Sequence, residues 1–168
     1  LAGLRLDAAT NDRHGPRSIV GLTLKDLATG EERAVALPDE ADISDVTWSP
    51  DGARIAFTLT DEDGVALWTL DVESAEAALL MDGVNAIFDP VEWLPDGRLL
   101  TLSIPDDRGA RPERSLPPAG PAISEAEGGD KAQTRTYQDL LNDPHDEAMF
   151  AWLAIAQPAI ADPETGEV

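Results

Sequence analysis

The chain of 168 residues contains no cysteine, so disulfide bonds and thiolate chemistry are excluded whatever its fold. Basic residues are also scarce: 12 lysines and arginines stand against 33 acidic residues, which gives a formal net charge of −21. A surface this acidic repels phosphate backbones, so we expect no nucleic-acid partner. The composition indicates a solvated acidic surface, with attraction of basic substrates as the lesser alternative.

Long apolar runs are missing as well. No stretch approaches the roughly 18 consecutive apolar residues of a membrane span, so we expect no membrane partner. The chain begins at Leu1 rather than at methionine, and its last four residues, 165–168, stop inside what the sequence suggests is a hairpin turn. We therefore expect both ends to be cuts within a longer protein.

A repeat of about 45 residues is the strongest feature that is present. Residues 46–52 (VTWSPDG) return as residues 91–97 (VEWLPDG), and residues 26–30 (DLATG) return loosely as residues 71–75 (DVESA). The second marker appears a third time at residues 162–166 (DPETG), close to two periods later. A fixed period of this length is typical of β-propeller blades with four strands each.

Turn chemistry within the repeat supports strands. Pro50 presets φ at the first corner of a turn, and Gly52 accepts the positive φ at its exit. Apolar and polar residues alternate on both sides of this turn, as in half-buried strands. Residues 43–81 therefore predict one full blade, with tight turns at residues 49–52 and 61–64 and with the third and fourth strands at residues 65–70 and 77–81.

We thus predict an all-β fold: a partial β-propeller of about three four-stranded blades, with a loop-plus-helix insertion in the last blade. All of residues 1–168 belong to this one propeller fragment. The insertion is residues 105–150, where prolines exclude regular structure before a helix starts at Asp143-Pro144. The apolar run of residues 151–160 is expected to resume the blade. The strands of the first blade are expected at residues 4–6, 19–24 and 35–37.

No pattern in the chain indicates catalytic, metal or cofactor chemistry. None of its seven serines lies in a Gly-x-Ser-x-Gly elbow, and we interpret His14 and His145 as surface residues. The cluster of Asp143, His145, Asp146 and Glu147 lacks metal-ligand spacing, and carboxylates are favoured in a first helical turn in any case. Residues 61–64 (DEDG) fail the calcium-loop pattern. We expect all four tryptophans, above all Trp48 and Trp93, to pack between neighbouring blades.

Several segments resemble the glutamyl endopeptidase-like members of the prolyl oligopeptidase family. The most discriminating lie in the insertion, where residues 135–141 (RTYQDLL) follow Gly120-Pro121 and precede Asp146-Glu147 and Phe150. The chain departs from the family pattern at Ala151-Trp152, where a tyrosine pair is usual. Weaker matches are residues 1–7, Thr10-Asn11, Gly21-Leu22, Thr29-Gly30, residues 48–52, residues 55–57 and Leu67-Trp68.

The resemblance implies a two-domain serine peptidase. An α/β-hydrolase domain with a Ser-Asp-His triad would follow this chain, and the propeller would admit short peptides rather than folded proteins, with cleavage preferred after glutamate. The implied partners are therefore that hydrolase domain and short peptides, with no cofactor. Bacterial relatives are often periplasmic or secreted, and plant relatives are chloroplastic.

The insertion also suggests residues that face the substrate: Arg135, Tyr137, Asp146 and Glu147. Acidic residues there would hold a peptide's free amino group and Arg135 its carboxylate, whereas the alternative is a purely packing and interdomain role. Two other functions remain open. One is a free-standing WD-type propeller that acts as a protein-interaction scaffold, and the other is a peptidase that has lost its triad.

Overall fold

The computed structural model describes residues 4–13, 19–39, 41–114, 141 and 143–168. Within these ranges the chain forms eleven strands and one helix. In chain order they are β1 (Leu6–Asp7), β2 (Asp12–Arg13), β3 (Thr23–Lys25), β4 (Glu32–Ala34), β5 (Asp42–Trp48), β6 (Arg54–Asp61), β7 (Gly64–Asp71), β8 (Ala77–Met81), β9 (Val91–Trp93), β10 (Leu99–Ser103), α1 (Pro144–Ala154) and β11 (Gln157–Ala161).

Strands β5 to β8 form one antiparallel sheet in the order of the sequence. The register between β6 and β7 is continuous, from the pair Arg54↔Asp71 to the pair Asp61↔Gly64 at the hairpin turn. Strand β5 carries an irregularity between Ser44 and Thr47, where its register to β6 shifts. This sheet has the strand number and connection of a propeller blade.

A second antiparallel sheet contains β9, β10 and β11, with β10 in the middle. The chain leaves this sheet after Ser103 and returns at Gln157, and these two residues are paired partners. The described part of the chain holds two further antiparallel pairs, β1 with β2 and β3 with β4.

Apolar cores lie between successive sheets. One includes Ala56, Val65 and Leu67 from the β5–β8 sheet together with Leu99 and Ala161 from the β9–β11 sheet. A second includes Ile55, Phe57 and Leu70 with Leu22 and Leu24, the side that carries β3 and β4. The centre of the middle sheet is therefore covered on both faces, which explains why β6 is buried over most of its length.

Polar contacts also join the sheets. The indole nitrogen of Trp93 donates to the carbonyl of Thr47 at 3.3 Å, and this places β9 beside β5. At the opposite side of the same sheet, the Arg33 guanidinium on β4 donates to the carbonyls of Val72 and Glu73. The all-β prediction is confirmed, and the open, side-by-side sheets are consistent with a partial propeller.

The structure corrects several details of the prediction. Residues 151–154 are helical rather than the start of a resumed strand, because α1 continues to Ala154 before β11 begins at Gln157. Such an apolar run suits a buried strand and a packed helix equally, so pattern alone did not separate them. The first hairpin closes with β4, not with residues 35–37. The complete four-stranded sheet is the one predicted at residues 43–81, and the sheets on either side of it contain fewer strands among the described residues.

Candidate functional site

Helix α1 begins with a capped and charged turn. Asp143 has an extended backbone, and its side chain accepts a hydrogen bond from the Asp146 amide at 2.8 Å, which satisfies one free N–H of the first turn. That bond holds the pKa of Asp143 below its usual value, and Arg114 acts in the same direction. The guanidinium of Arg114 reaches Asp143 Oδ2 at 3.1 Å and Asp146 Oδ1 at 3.2 Å. Arg114 thereby ties the first part of the insertion to the helix at its end.

The same turn brings Asp143, His145 and Asp146 close enough for their ligand atoms to lie within 4.8 Å of one another. Arg114, however, already supplies the positive charge to both carboxylates and would repel a cation placed between them. His145 Nδ1 lies 3.9 Å from Asp146 Oδ1 and has no hydrogen-bond partner among the described residues. The geometry therefore favours a structural ion pair at this helix start.

The structure describes two of the four residues that the sequence suggested as substrate-facing. Asp146 is largely buried, at 17% exposure, and is engaged by Arg114, whereas Glu147 lies exposed on the first turn of α1. Arg135 and Tyr137 lie outside the described residues, as does His14. Of the two suggested residues that the structure describes, Glu147 is thus the one that is exposed to solvent.

Two buried asparagines hold the other end of α1. Asn85 Nδ2 donates to the carbonyls of Leu153 and Ile155, at 2.8 and 2.9 Å, and Asn11 Nδ2 reaches the Leu153 carbonyl at 3.4 Å. These carbonyls lack partners within the helix, because the last turn of any helix leaves its acceptors free. Sequence reasoning missed both residues, since each lies far from Leu153 along the chain. The one sign of Asn85 in the sequence is that a polar residue stands between the apolar residues Val84 and Ala86.

Trp152 fixes the side of α1 against the first residues of the insertion. Its indole nitrogen donates to the Gly109 carbonyl at 3.1 Å, and the Arg108 guanidinium lies 3.7 Å from the centre of its ring. Arg108 also donates to Asn11 Oδ1 at 2.5 Å, while burial lowers the pKa of its guanidinium. A cation held over an indole face is stabilised by the ring's quadrupole. Trp152 therefore anchors the helix rather than packing between two sheets.

A second charged group surrounds Asp45, at the irregular part of β5. Arg13 Nη2 lies 3.3 Å from Asp45 Oδ1, and the hydroxyl of Thr58 donates to Asp45 Oδ2 at 3.2 Å. Arg13 also pairs with Asp89 at 3.3 Å. Burial raises the pKa of Asp45, and the nearby Arg13 and the bond from Thr58 offset this only in part. This group links β2, β5 and the segment before β9.

Three of the described serine hydroxyls have structural roles. Ser49 donates to Asp51 and Ser74 to Asp71 within turns, and Ser103 Oγ bonds the carbonyl of Gln157 across β10 and β11. No hydrogen bond among the described residues joins a serine to His145. A nucleophile needs an adjacent base, so this part of the chain shows no serine arranged for attack.

The remaining tryptophans differ from one another. Trp93 bridges two sheets, as predicted, but Trp48 is 55% exposed, since nothing described covers that face of β5. Trp68 stacks on Phe57 of the neighbouring strand within its own sheet, with ring centres 6.4 Å apart.

Within the described residues, no helix is long and apolar enough to cross a membrane.

Comparison with known proteins gives two related sequences. The chain is 37% identical over 176 aligned positions to a probable chloroplastic glutamyl endopeptidase of Oryza sativa subsp. japonica, and 35% identical over 175 positions to that of Arabidopsis thaliana. Each alignment covers 96% of this chain but only 19% and 18% of the relatives, so the chain spans about a fifth of their length. No family profile matches the sequence.

Among solved structures, an acylaminoacyl peptidase in complex with Z-Gly-Gly-Phe-chloromethyl ketone aligns with 64% of this chain and 16% of its own. The sequence identity is 22% and the TM-score is 0.39.

Proposed function

Since the chain belongs to the prolyl oligopeptidase family, alongside the glutamyl endopeptidases, we propose that it is a non-catalytic segment of a serine-type oligopeptidase. In this proposal the chain gates the access of short peptides to a separate α/β-hydrolase domain, which cleaves peptide bonds with a preference for those after glutamate. The observation that carries the proposal is identity of 35–37% along 96% of the chain to proteins named as glutamyl endopeptidases.

The described residues support a non-catalytic role for this segment. Ser49, Ser74 and Ser103 are engaged in turns or across a strand pair, and none meets His145. The hydrolytic residues would therefore lie elsewhere in the whole protein. A segment without hydrolytic residues would influence cleavage through the shape of the passage to the active site. Such a passage can exclude large substrates without contacting the bond that is cleaved.

Gating by shape requires sheets that keep their relative positions. Two contacts from arginines support this: Arg33 binds the carbonyls that follow β7, and Arg54 of β6 lies 3.5 Å from Glu164 beyond β11. Together with the Trp93 bond to Thr47, they join three successive sheets. A passage lined by such sheets would widen only if these contacts broke.

The gating proposal is tested on the full-length enzyme with two matched substrates. One is a short peptide containing a single glutamate, and the other is the same sequence within a loop of a folded protein. We expect cleavage of the peptide alone, and we expect Arg33→Ala to raise cleavage of the folded substrate relative to the peptide. Lys25→Ala, which removes an exposed pair with Glu32 on the neighbouring strand, is the control.

Two results would count against the proposal. Equal cleavage of both substrates by the unaltered enzyme would exclude gating. Failure of a serine-directed fluorophosphonate to label the full-length protein would exclude the serine-type activity and would favour an interaction scaffold instead.

We further propose that Glu147, with Arg135 and Tyr137, faces the substrate passage, and that Asp146 acts there by positioning α1 through Arg114. An exposed carboxylate at the start of α1 would attract the free amino group of a peptide. In the full-length enzyme, Glu147→Gln should raise KM for peptides with a free amino terminus several-fold, and much less for acetylated ones.

The matched control is Glu31→Gln, because Glu31 is also exposed but lies in the turn between β3 and β4. It should leave both KM values unchanged. If Glu147→Gln changes neither KM while the melting temperature is also unaltered, the packing interpretation of the insertion is the correct one.

A further inference from the structure

Arg108 is a half-buried cation that meets no carboxylate among the described residues. Five other basic residues in this part of the chain form ion pairs with carboxylates: Arg13, Lys25, Arg54, Arg98 and Arg114. Arg108 forms none there, although 33 of the 168 residues are acidic and Asp106 and Asp107 directly precede it. Burial alone lowers the pKa of its guanidinium. The described residues therefore hold a partly desolvated cation whose charge they do not neutralise.

Two side chains fix the position of the Arg108 guanidinium. The indole of Trp152 lies against it, with 3.7 Å between the guanidinium carbon and the ring centre, and Nη1 donates to Asn11 Oδ1 at 2.5 Å. Asn11 is itself buried and donates to the carbonyl of Leu153. Because these contacts already order the guanidinium, it loses little further entropy when it binds a ligand.

The other nitrogens of the Arg108 guanidinium are accessible. Nε and Nη2 have no hydrogen-bond partner among the described residues, and neither is enclosed by them. A guanidinium presents its N–H groups as a planar fork that matches the two oxygens of a carboxylate. A partly desolvated charge is also stabilised when a partner of opposite charge reaches it. Arg108 thus has the donors, the charge and the fixed position that suit a carboxylate from a ligand.

We propose that Arg108 binds a carboxylate of the peptide substrate and that Trp152 and Asn11 are its positioning residues. This rests on the proposed function, in which short peptides pass the segment, and it adds a residue that sequence reasoning did not suggest. The group bound is the C-terminal carboxylate of the peptide or the side chain of a glutamate, which share the same chemistry. Because a net charge of −21 repels acidic peptides at a distance, a local cation is needed to hold such a group.

Binding of four tripeptides to the full-length protein tests the proposal. Ala-Ala-Glu has both carboxylates, its C-terminal amide keeps only the side chain, Ala-Ala-Gln keeps only the terminus, and Ala-Ala-Gln-amide has neither. None contains a bond after glutamate that could be cleaved, and titration calorimetry gives each Kd. We expect the form with the bound carboxylate to have a Kd at least about tenfold lower than its matched form. The pair that shows the difference identifies the carboxylate, and four equal Kd values overturn the proposal.

Arg108→Gln in the full-length protein should abolish that difference. A purely structural role of Arg108 would alter the melting temperature, or all four Kd values together, and would leave their ratio unchanged, which contradicts the proposal. The matched control is Arg111→Gln, because Arg111 is exposed and its substitution removes the same charge three residues away. An equal effect of Arg111→Gln on the ratio would show general attraction instead of a contact with Arg108.

Arg108→Lys provides a variant that keeps a cation beside Trp152, so the anchoring of α1 is retained even where glutamine prevents folding. An ammonium group lacks the planar fork. The ratio of Kd values between the matched tripeptides should therefore become several-fold smaller than in the unaltered protein. An unchanged ratio would exclude recognition by the guanidinium fork.

Calorimetry does not depend on hydrolysis, so this proposal and the proposed function can fail separately. A protein that reacts with the fluorophosphonate but binds all four tripeptides equally is a serine peptidase in which Arg108 does not contact substrate. A protein that does not react, but loses its preference for a carboxylate with Arg108→Gln, binds acidic peptides at Arg108 without being that peptidase.

Discussion

Asn85 is the residue on which the position of α1 most depends. Its amide satisfies two carbonyls at the end of the helix while the side chain is almost fully buried. We expect Asn85→Ala to lower the free energy of unfolding by about 1–3 kcal/mol, because buried acceptors are left without donors. Urea titration followed by tryptophan fluorescence measures this, and Trp152 in α1 is one of the four tryptophans that contribute to the signal.

Asn85→Asp is the sharper companion to that variant. Aspartate has the same shape but no N–H, so it places an acceptor against two carbonyls and should destabilise more than alanine does. A smaller loss with aspartate than with alanine would show that the hydrogen bonds to Leu153 and Ile155 contribute little.

Asp45 gives a prediction for how the melting temperature of the chain depends on pH. Its folded pKa is raised by burial, so the protonated form is favoured by folding, and this stabilisation is lost as pH rises through the raised pKa. Asparagine at this position does not titrate. The melting temperature of Asp45→Asn minus that of the unaltered chain should therefore increase as pH rises from about 3 to 7. Thermal denaturation at a series of pH values measures the difference.

The aspartates of the turns should show the opposite dependence of stability on pH. Hydrogen bonds hold the pKa values of Asp26, Asp51, Asp71 and Asp96 below the usual range, so their stabilisation is present at neutral pH and is lost as the solution becomes acidic. Asp71→Asn should accordingly show its largest loss near neutral pH, with the difference from the unaltered chain shrinking on acidification. If the melting temperature of Asp45→Asn minus that of the unaltered chain instead falls as pH rises from about 3 to 7, the ion pair with Arg13 outweighs burial.

Among the elements, the tight turns between first and second strands depend on glycine. Gly97 has φ of +86°, a conformation that costs an L-residue roughly 1–2 kcal/mol. Gly97→Ala should destabilise the chain by about that amount in chemical denaturation. Gly21→Ala is the matched control, because Gly21 lacks a left-handed φ and an added methyl group would meet nothing within 4 Å. Equal effects of the two substitutions would exclude backbone strain as the cause.

Turns were also what the sequence predicted best. The motifs at residues 49–52 and 94–97, and the aspartate turns that start at Asp26, Asp71 and Asp162, are specified by residues next to one another. Their alternating flanks located β5 to β8 to within one or two residues. Local chemistry is sufficient for such elements, because their hydrogen bonds close within a few positions.

The contacts around α1 were not predictable in the same way. Asn11 and Asn85 bind Leu153 from 142 and 68 residues away, and Arg108 meets Trp152 only once the insertion has folded back. No periodic pattern encodes pairs at such distances. The end of α1 was misplaced for a related reason: its partners lie in distant segments, so the helix boundary is decided by tertiary contacts.

At the scale of the whole molecule, the 168-residue chain leaves large apolar side chains exposed on two of its strands, β5 and β11. Trp48 and Val46 are exposed on β5, and Ile160 is exposed on β11. We expect the chain on its own to melt over a broad range, with a van't Hoff enthalpy well below the calorimetric one, because its outer sheets can separate without unfolding the middle one. Scanning calorimetry measures both enthalpies, and a single sharp transition in which they agree would contradict this.

The pairing of Ser103 with Gln157 has a consequence for how such proteins diversify. The two strand residues that flank the insertion are held side by side in one antiparallel strand pair, with Cα atoms about 5 Å apart. The closure entropy of a loop grows only slowly with its length, by about 0.6 kcal/mol for each doubling. Segments of very different size can therefore be exchanged at this point during evolution, or grafted there in the laboratory, while the register of β10 and β11 stays the same.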